Sequence, residues 1–214
     1  MNQSLSSFRF CFIAIISSLF LFACTVVPKG PENAVNLTSQ LKQVADISQW
    51  QLKGKIAFRR GEEGASATMN WKTDSDDFNF RLTNLLGVTL VNLDVEDKKA
   101  VLEADGETFV DAMPEPLIYR VTGMDIPVNS LLSWIKGLPL PSDQFTLTDK
   151  GLLATLTSTC QACQGWEVSY ANYGSVTQKN GNTVWLPHAI NLIQPATQYR
   201  EKTQLKIKIY KWTL

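Results

Sequence analysis

The chain has 214 residues, with 20 basic and 20 acidic side chains, 44% apolar residues and one histidine, His188. That length supports one domain with a sizeable core, and the composition is globular rather than disordered. Zero net charge argues against a nucleic-acid binder, whose footprint is a basic excess, and a lone histidine leaves little for zinc ligation or triad chemistry.

The first 23 residues hold no Asp or Glu, and Arg9 is their only charged side chain. Their apolar run is about 14 residues, short of the roughly 20 that span a bilayer, so residues 1–23 read as a secretory signal. The run closes on Leu21-Phe22-Ala23-Cys24, which resembles a bacterial lipobox. That resemblance implies cleavage after Ala23, diacylglycerol on the Cys24 sulfur, and acylation of the new amino terminus. Thr25 stands where lipoproteins retained at the inner membrane carry Asp, which favours the outer membrane. The alternative is an ordinary signal peptide with a chance cysteine. Residues 24–35 carry prolines and no helical period, and read as a lipidated tether. Eleven residues of it reach at most roughly 35–40 Å, so the body stays near the membrane surface.

From Asn36 to Ile47, Leu37, Leu41 and Val44 fall at helical spacing. The period then switches to two. Trp50 to Arg59, Ala65 to Lys72 and Phe78 to Thr83 each alternate apolar with polar residues, as half-buried antiparallel strands do. Further strands are expected at 89–95, 99–104, 144–148, 152–157, 166–170, 184–192 and 204–210, about ten or eleven in all. An antiparallel sheet of that size must curl or split. A helical insertion interrupts it at about 113–141. One short helix runs Pro116 to Thr122 and stops at Gly123. A second follows Pro127, with Val128, Leu131, Leu132 and Ile135 on one face and a stop at Lys136-Gly137. A curled sheet with apolar helices against it can be solid or hollow, and the residue pattern alone leaves both open.

The block Val121-Thr-Gly-Met-Asp-Ile-Pro-Val-Asn-Ser-Leu-Leu-Ser-Trp-Ile-Lys-Gly-Leu-Pro139 resembles the central helical signature of the LolB family. Arg81 to Leu90 (RLTNLLGVTL) resembles the strand, loop and strand in which that family carries a protruding leucine, and Pro28 to Pro31 its stretch after the lipid anchor. The resemblance spans nearly all of the chain after the signal. It implies one domain over 36–214, mainly β with an α lid: an incomplete antiparallel barrel closed by short helices over a hydrophobic cavity. The implied function is that of an outer-membrane lipoprotein facing the periplasm. It would accept acylated lipoproteins from the carrier LolA and insert them into outer-membrane phospholipid. It would act as a monomer, without covalent chemistry or cofactor, metal or nucleic acid. Leu86 matches the protruding leucine; Leu85 stands where the family often has proline.

Asn84 and Gly87 are ordinary hairpin residues, whereas Leu85 and Leu86 between them are not, because turn tips face water. The expected role of Leu86, with Leu85, is to dip into lipid; the alternative is that both fold back on the core. For acyl chains the expected lining is Leu52, Ile56, Phe58, Met69, Trp71, Phe80, Leu82, Leu131 and Ile135, although any solid core shows the same pattern. Cys160 and Cys163 lie between two expected strands with no redox-fold context, and read as a disulfide stapling a hairpin. His188 shares the parity of Val184, Leu186 and Ile190 and reads as a core or rim residue. No G-x-S-x-G elbow and no phosphate-binding G-x-x-x-x-G-K-[ST] loop is present. The rival functions are a lipid-anchored envelope adaptor with a solid core that binds protein partners, and a lipid-processing hydrolase.

Overall fold

The computed structural model describes residues 27–159, 163 and 165–214; the signal segment, Cys24 and Cys160 lie outside them. A helix, α1 (Leu37–Ala45), leads into six strands: β1 (Gln49–Arg60), β2 (Glu63–Asp74), β3 (Asp77–Thr83), β4 (Thr89–Glu96), β5 (Lys99–Ala104) and β6 (Glu107–Asp111). Two helices follow, α2 (Pro114–Thr122) and α3 (Val128–Trp134). The chain ends in β7 (Asp143–Leu147), β8 (Leu153–Ser158), β9 (Glu167–Thr177), β10 (Thr183–Gln194) and β11 (Thr203–Thr213). Strand β6 was not expected from the sequence, and β9 extends seven residues past the expected Tyr170.

All eleven strands form one antiparallel sheet in the order β6-β5-β4-β3-β2-β1-β11-β10-β9-β8-β7. Twist of roughly 20–25° per strand curls such a sheet strongly. Where β1 meets β11 the register shifts between Lys53 and Gly54, and a side chain at Gly54 would run into the Lys208 carbonyl. The edges β6 and β7 stay unpaired, so the barrel is incomplete. They are also consecutive in the chain. The segment joining them must therefore cross the open side, which lays α2 and α3 over the concave face.

That face carries the core. Leu52, Met69, Trp71, Leu93, Leu102, Leu192 and Leu205 are all but fully buried, while lysines such as Lys53, Lys55 and Lys208 alternate onto the outer face. Helix α1 is capped by Asn36, whose Oδ1 accepts from Ser39 N at 2.9 Å, and it packs beside β10. Residues 28–35 do not hang free: Val35 N donates to Lys150 O at 2.8 Å, Lys150 Nζ donates to Glu32 O at 2.7 Å, and Pro28 lies against Gly174. Docking of these residues shortens the free part of the tether.

Candidate functional site

A cavity of about 80 Å³ lies between the concave face and the lid. The sheet contributes Ile56 and Phe58 from β1, Met69 and Trp71 from β2, Phe78, Phe80 and Leu82 from β3, and Leu205 and Ile207 from β11. The lid contributes Ile118 and Val121 from α2, Met124 and Ile126 from the connecting loop, and Val128 and Leu131 from α3. Thr122 is the one polar residue on the wall. Seven of the nine expected lining residues therefore lie on the cavity. Leu52 and Ile135 do not: each is fully buried in the surrounding core, Leu52 opposite Trp71 and Trp212 in the sheet register. Alternation assigns a residue to a face; it does not say how far along the strand the hollow extends.

The closed volume is small. Pockets that enclose ligands run to roughly 300–1,000 Å³, so the hollow is smaller than such a pocket. The two lid helices are attached differently. Arg60, at the end of β1, donates through Nη1 to the carbonyls of Gly123 at 3.0 Å and Thr122 at 3.3 Å, the C-terminal end of α2. Gly123 caps that helix in the left-handed conformation, with φ +65°. Helix α3 is tied more deeply. Trp134 Nε1 donates to Asp143 Oδ2 at 2.8 Å, and the Tyr170 hydroxyl donates to Trp134 O at 3.0 Å. Burial, with Tyr173 and Asp143 nearby, holds the Tyr170 hydroxyl well above its ordinary pKa, so it remains a neutral donor. Lys136 is buried just past α3 and donates to Ile47 O at 2.9 Å and Val44 O at 3.4 Å, the end of α1. No signal in the sequence marked Arg60, because its role depends on where a distant helix ends.

Leu85 and Leu86 are 89% and 88% exposed. Asn84 holds the loop in that shape: its Oδ1 accepts from Leu86 N at 2.9 Å and Val88 N at 3.0 Å, and Gly87 supplies a φ of +82°. Val88 and Leu90 are exposed beside them. The two leucines do not fold back on the core, so an apolar tip stands in solvent on a hydrogen-bonded frame. Strand direction puts this tip at the same end of the sheet as Arg60. Cys163 is buried, disulfide-bonded and 3.2 Å from Ser130 Oγ of α3; the pairing expected with Cys160 lies outside the described residues. His188 is half-buried with Nδ1 2.9 Å from Ile209 O, and burial lowers its pKa.

An incomplete antiparallel barrel with a helical lid over an apolar hollow places the chain in the class of LolA- and LolB-like folds. A LolA superfamily protein from Nitrosomonas europaea has a similar structure, with a TM-score of 0.52 over 85% of this chain and 94% of its own at 8% identity. The family model for outer membrane lipoprotein LolB matches residues 48–212, and the chain belongs to that family. The outer-membrane lipoprotein LolB of Vibrio cholerae is 31% identical over 94% of both chains, and that of Pseudoalteromonas translucida 30% identical over 92% of both.

Proposed function

We propose that this protein accepts acylated lipoproteins from the soluble carrier LolA and releases them into the inner leaflet of the outer membrane, to which its own lipidated Cys24 tethers it. The observation that carries this reading is the conjunction of an apolar, lidded cavity with an exposed leucine tip at one end of one sheet. The physics requires such a pairing. Each buried CH₂ contributes about 0.8 kcal/mol, so a long acyl chain in water costs on the order of 10 kcal/mol. Transfer therefore needs a dry route from carrier to acceptor to bilayer, each step downhill. The lid opens, the chains pass from the carrier's cavity into this one, and the Leu86 tip docks on lipid to place the cavity against its sink. Burying one leucine contributes roughly 1.5–3 kcal/mol, enough to bias docking and too little to anchor.

The test is to mix LolA carrying a labelled lipoprotein with this protein on liposomes. The wild type should take the label and pass it to lipid. Leu86→Glu should melt normally and still take the label, but deliver little of it; normal delivery by that variant overturns the role of the tip. The small closed volume favours a second reading, a solid-cored adaptor for protein partners. Titration with an apolar fluorophore separates the two: stoichiometric uptake by the folded protein supports the shuttle, and no uptake supports the adaptor.

A further inference from the structure

The cavity wall changes character at the end of the sheet that carries Leu86. One rung of the concave face runs Ala65, Phe58, Leu205, Leu192 and Val168 across β2, β1, β11, β10 and β9. It is wholly apolar, and Phe58 and Leu205 line the cavity. The next rung on the same face, two residues along each strand, runs Glu63, Arg60, Thr203 and Gln194. It is wholly polar. Within it Gln194 is 0% exposed, and neither its Nε2 nor its Oε1 has a hydrogen-bond partner. A buried amide left unpaired costs about 1–3 kcal/mol, so among the described residues Gln194 is a donor and acceptor with unused capacity.

We propose that Gln194, beside Thr203, forms a polar subsite for the ester carbonyls of a diacylglyceryl group whose acyl chains fill the apolar cavity. This rests on the shuttle reading and says which part of the cargo is recognised as polar. The height is right for it. An ester carbonyl is the first group above the methylenes of its chain; Thr203 sits one rung above Leu205 of the cavity wall, and Gln194 is its neighbour across the β10–β11 pairing. The chemistry matches as well, because an ester carbonyl only accepts and the Gln amide offers two N–H donors. In the same rung Arg60 already donates to two carbonyls, those of Thr122 and Gly123 in the lid. Opening of α2 would free the Arg60 guanidinium in that same rung.

The experiment titrates the soluble domain with two synthetic lipopeptides of equal chain length. One carries an S-diacylglyceryl cysteine, and the other is its dialkyl ether analogue, which lacks the carbonyls. Gln194→Leu replaces an unpaired buried amide by an apolar group of similar size, so it should melt at or above the wild-type temperature. It should bind the diester about ten-fold more weakly and the diether as the wild type does. Equal affinity for both ligands, as expected if Gln194 merely holds a structural water, overturns the proposal; so does an equal loss for both. A wild type that binds neither lipopeptide overturns the shuttle reading itself. Short-chain phosphatidylglycerol in parallel assigns the source. A matching loss supports recognition of any diacylglycerol ester, and a loss confined to the lipopeptide supports recognition of lipoprotein cargo.

Discussion

Helices α2 and α3 cover the same cavity and are nearly consecutive in the chain, yet they are held by different kinds of contact. Helix α3 buries Val128, Leu131 and Trp134, is hydrogen-bonded at both faces of the Trp134 residue, and is followed by a buried lysine bonded to α1. Helix α2 buries only Pro114 and Leu117 and exposes Tyr119 and Arg120. Its end is held by a half-exposed arginine, and Arg120 lies 4.5 Å over the Phe109 ring of edge strand β6. Segments with few buried contacts and exposed polar ties open at the lowest free energy. The difference predicts a lid with a fixed part and a moving part. In that prediction α2 swings about Gly123 and the loop to Pro127, and α3 stays with the core.

The strongest test of that division removes the centre of the fixed part. Trp134→Ala takes out a fully buried ring and one of the two donors to Asp143 Oδ2, Leu140 N being the other, and should cost about 3–5 kcal/mol in denaturant unfolding. Val121→Ala in α2 should cost under about 2 kcal/mol, because that side chain is only half-buried. Similar costs for the two would break the division. Lys136→Met comes next. It keeps the volume but takes the Lys136 donor from the Ile47 carbonyl, while Val44 O still accepts from Ile47 N, a loss of about 1–3 kcal/mol. This variant also has a pH signature. Burial holds the Lys136 amine below its ordinary pKa of 10.5, so the unfolded chain binds more protons in the window from the lowered value up to 10.5. Stability from this group therefore rises with pH across that window. Unfolding curves at neutral and alkaline pH should show the slope in the wild type and lose it in Lys136→Met.

The sequence made much of this legible and left out what distance decides. Strands with strict alternation, such as β1 around Ile56 and β11 around Ile207, could be read directly, as could α3 from Pro127 and its apolar spacing. Strand β6 could not, because Glu107–Asp111 is five residues long, half-exposed and framed by acids. Parity put Leu52 on the concave face correctly, but the hollow ends before it, and only the seating of Trp50 between Trp71 and Trp212 shows why. Leu85 and Leu86 could be read because apolar residues in a turn violate a local rule. Arg60 and Gln194 violate none: each becomes informative only when β11 is laid between β1 and β10, and its pairing with β1 joins residues more than a hundred positions apart.

Arg60 sharpens the comparison most finely, since it touches the moving helix and not the fixed one. Its ion pairs with Glu63 and Glu201, at 3.8 and 3.9 Å and open to solvent, add little. What it supplies is two hydrogen bonds from a charged donor to the end of α2. Arg60→Gln shortens the reach and removes the charge, so α2 should open more often, by about ten-fold, while global stability falls by no more than about 1.5 kcal/mol. Native-state hydrogen exchange reads this directly: amides of residues 118–123 should lose protection, and those of Leu131 to Ile135 should keep it. An apolar fluorophore should enter the variant faster than the wild type and leave faster too, because a latch alters access in both directions without altering the wall. If α2 and α3 lose protection together, the lid moves as one piece and the contrast between its helices is only one of burial.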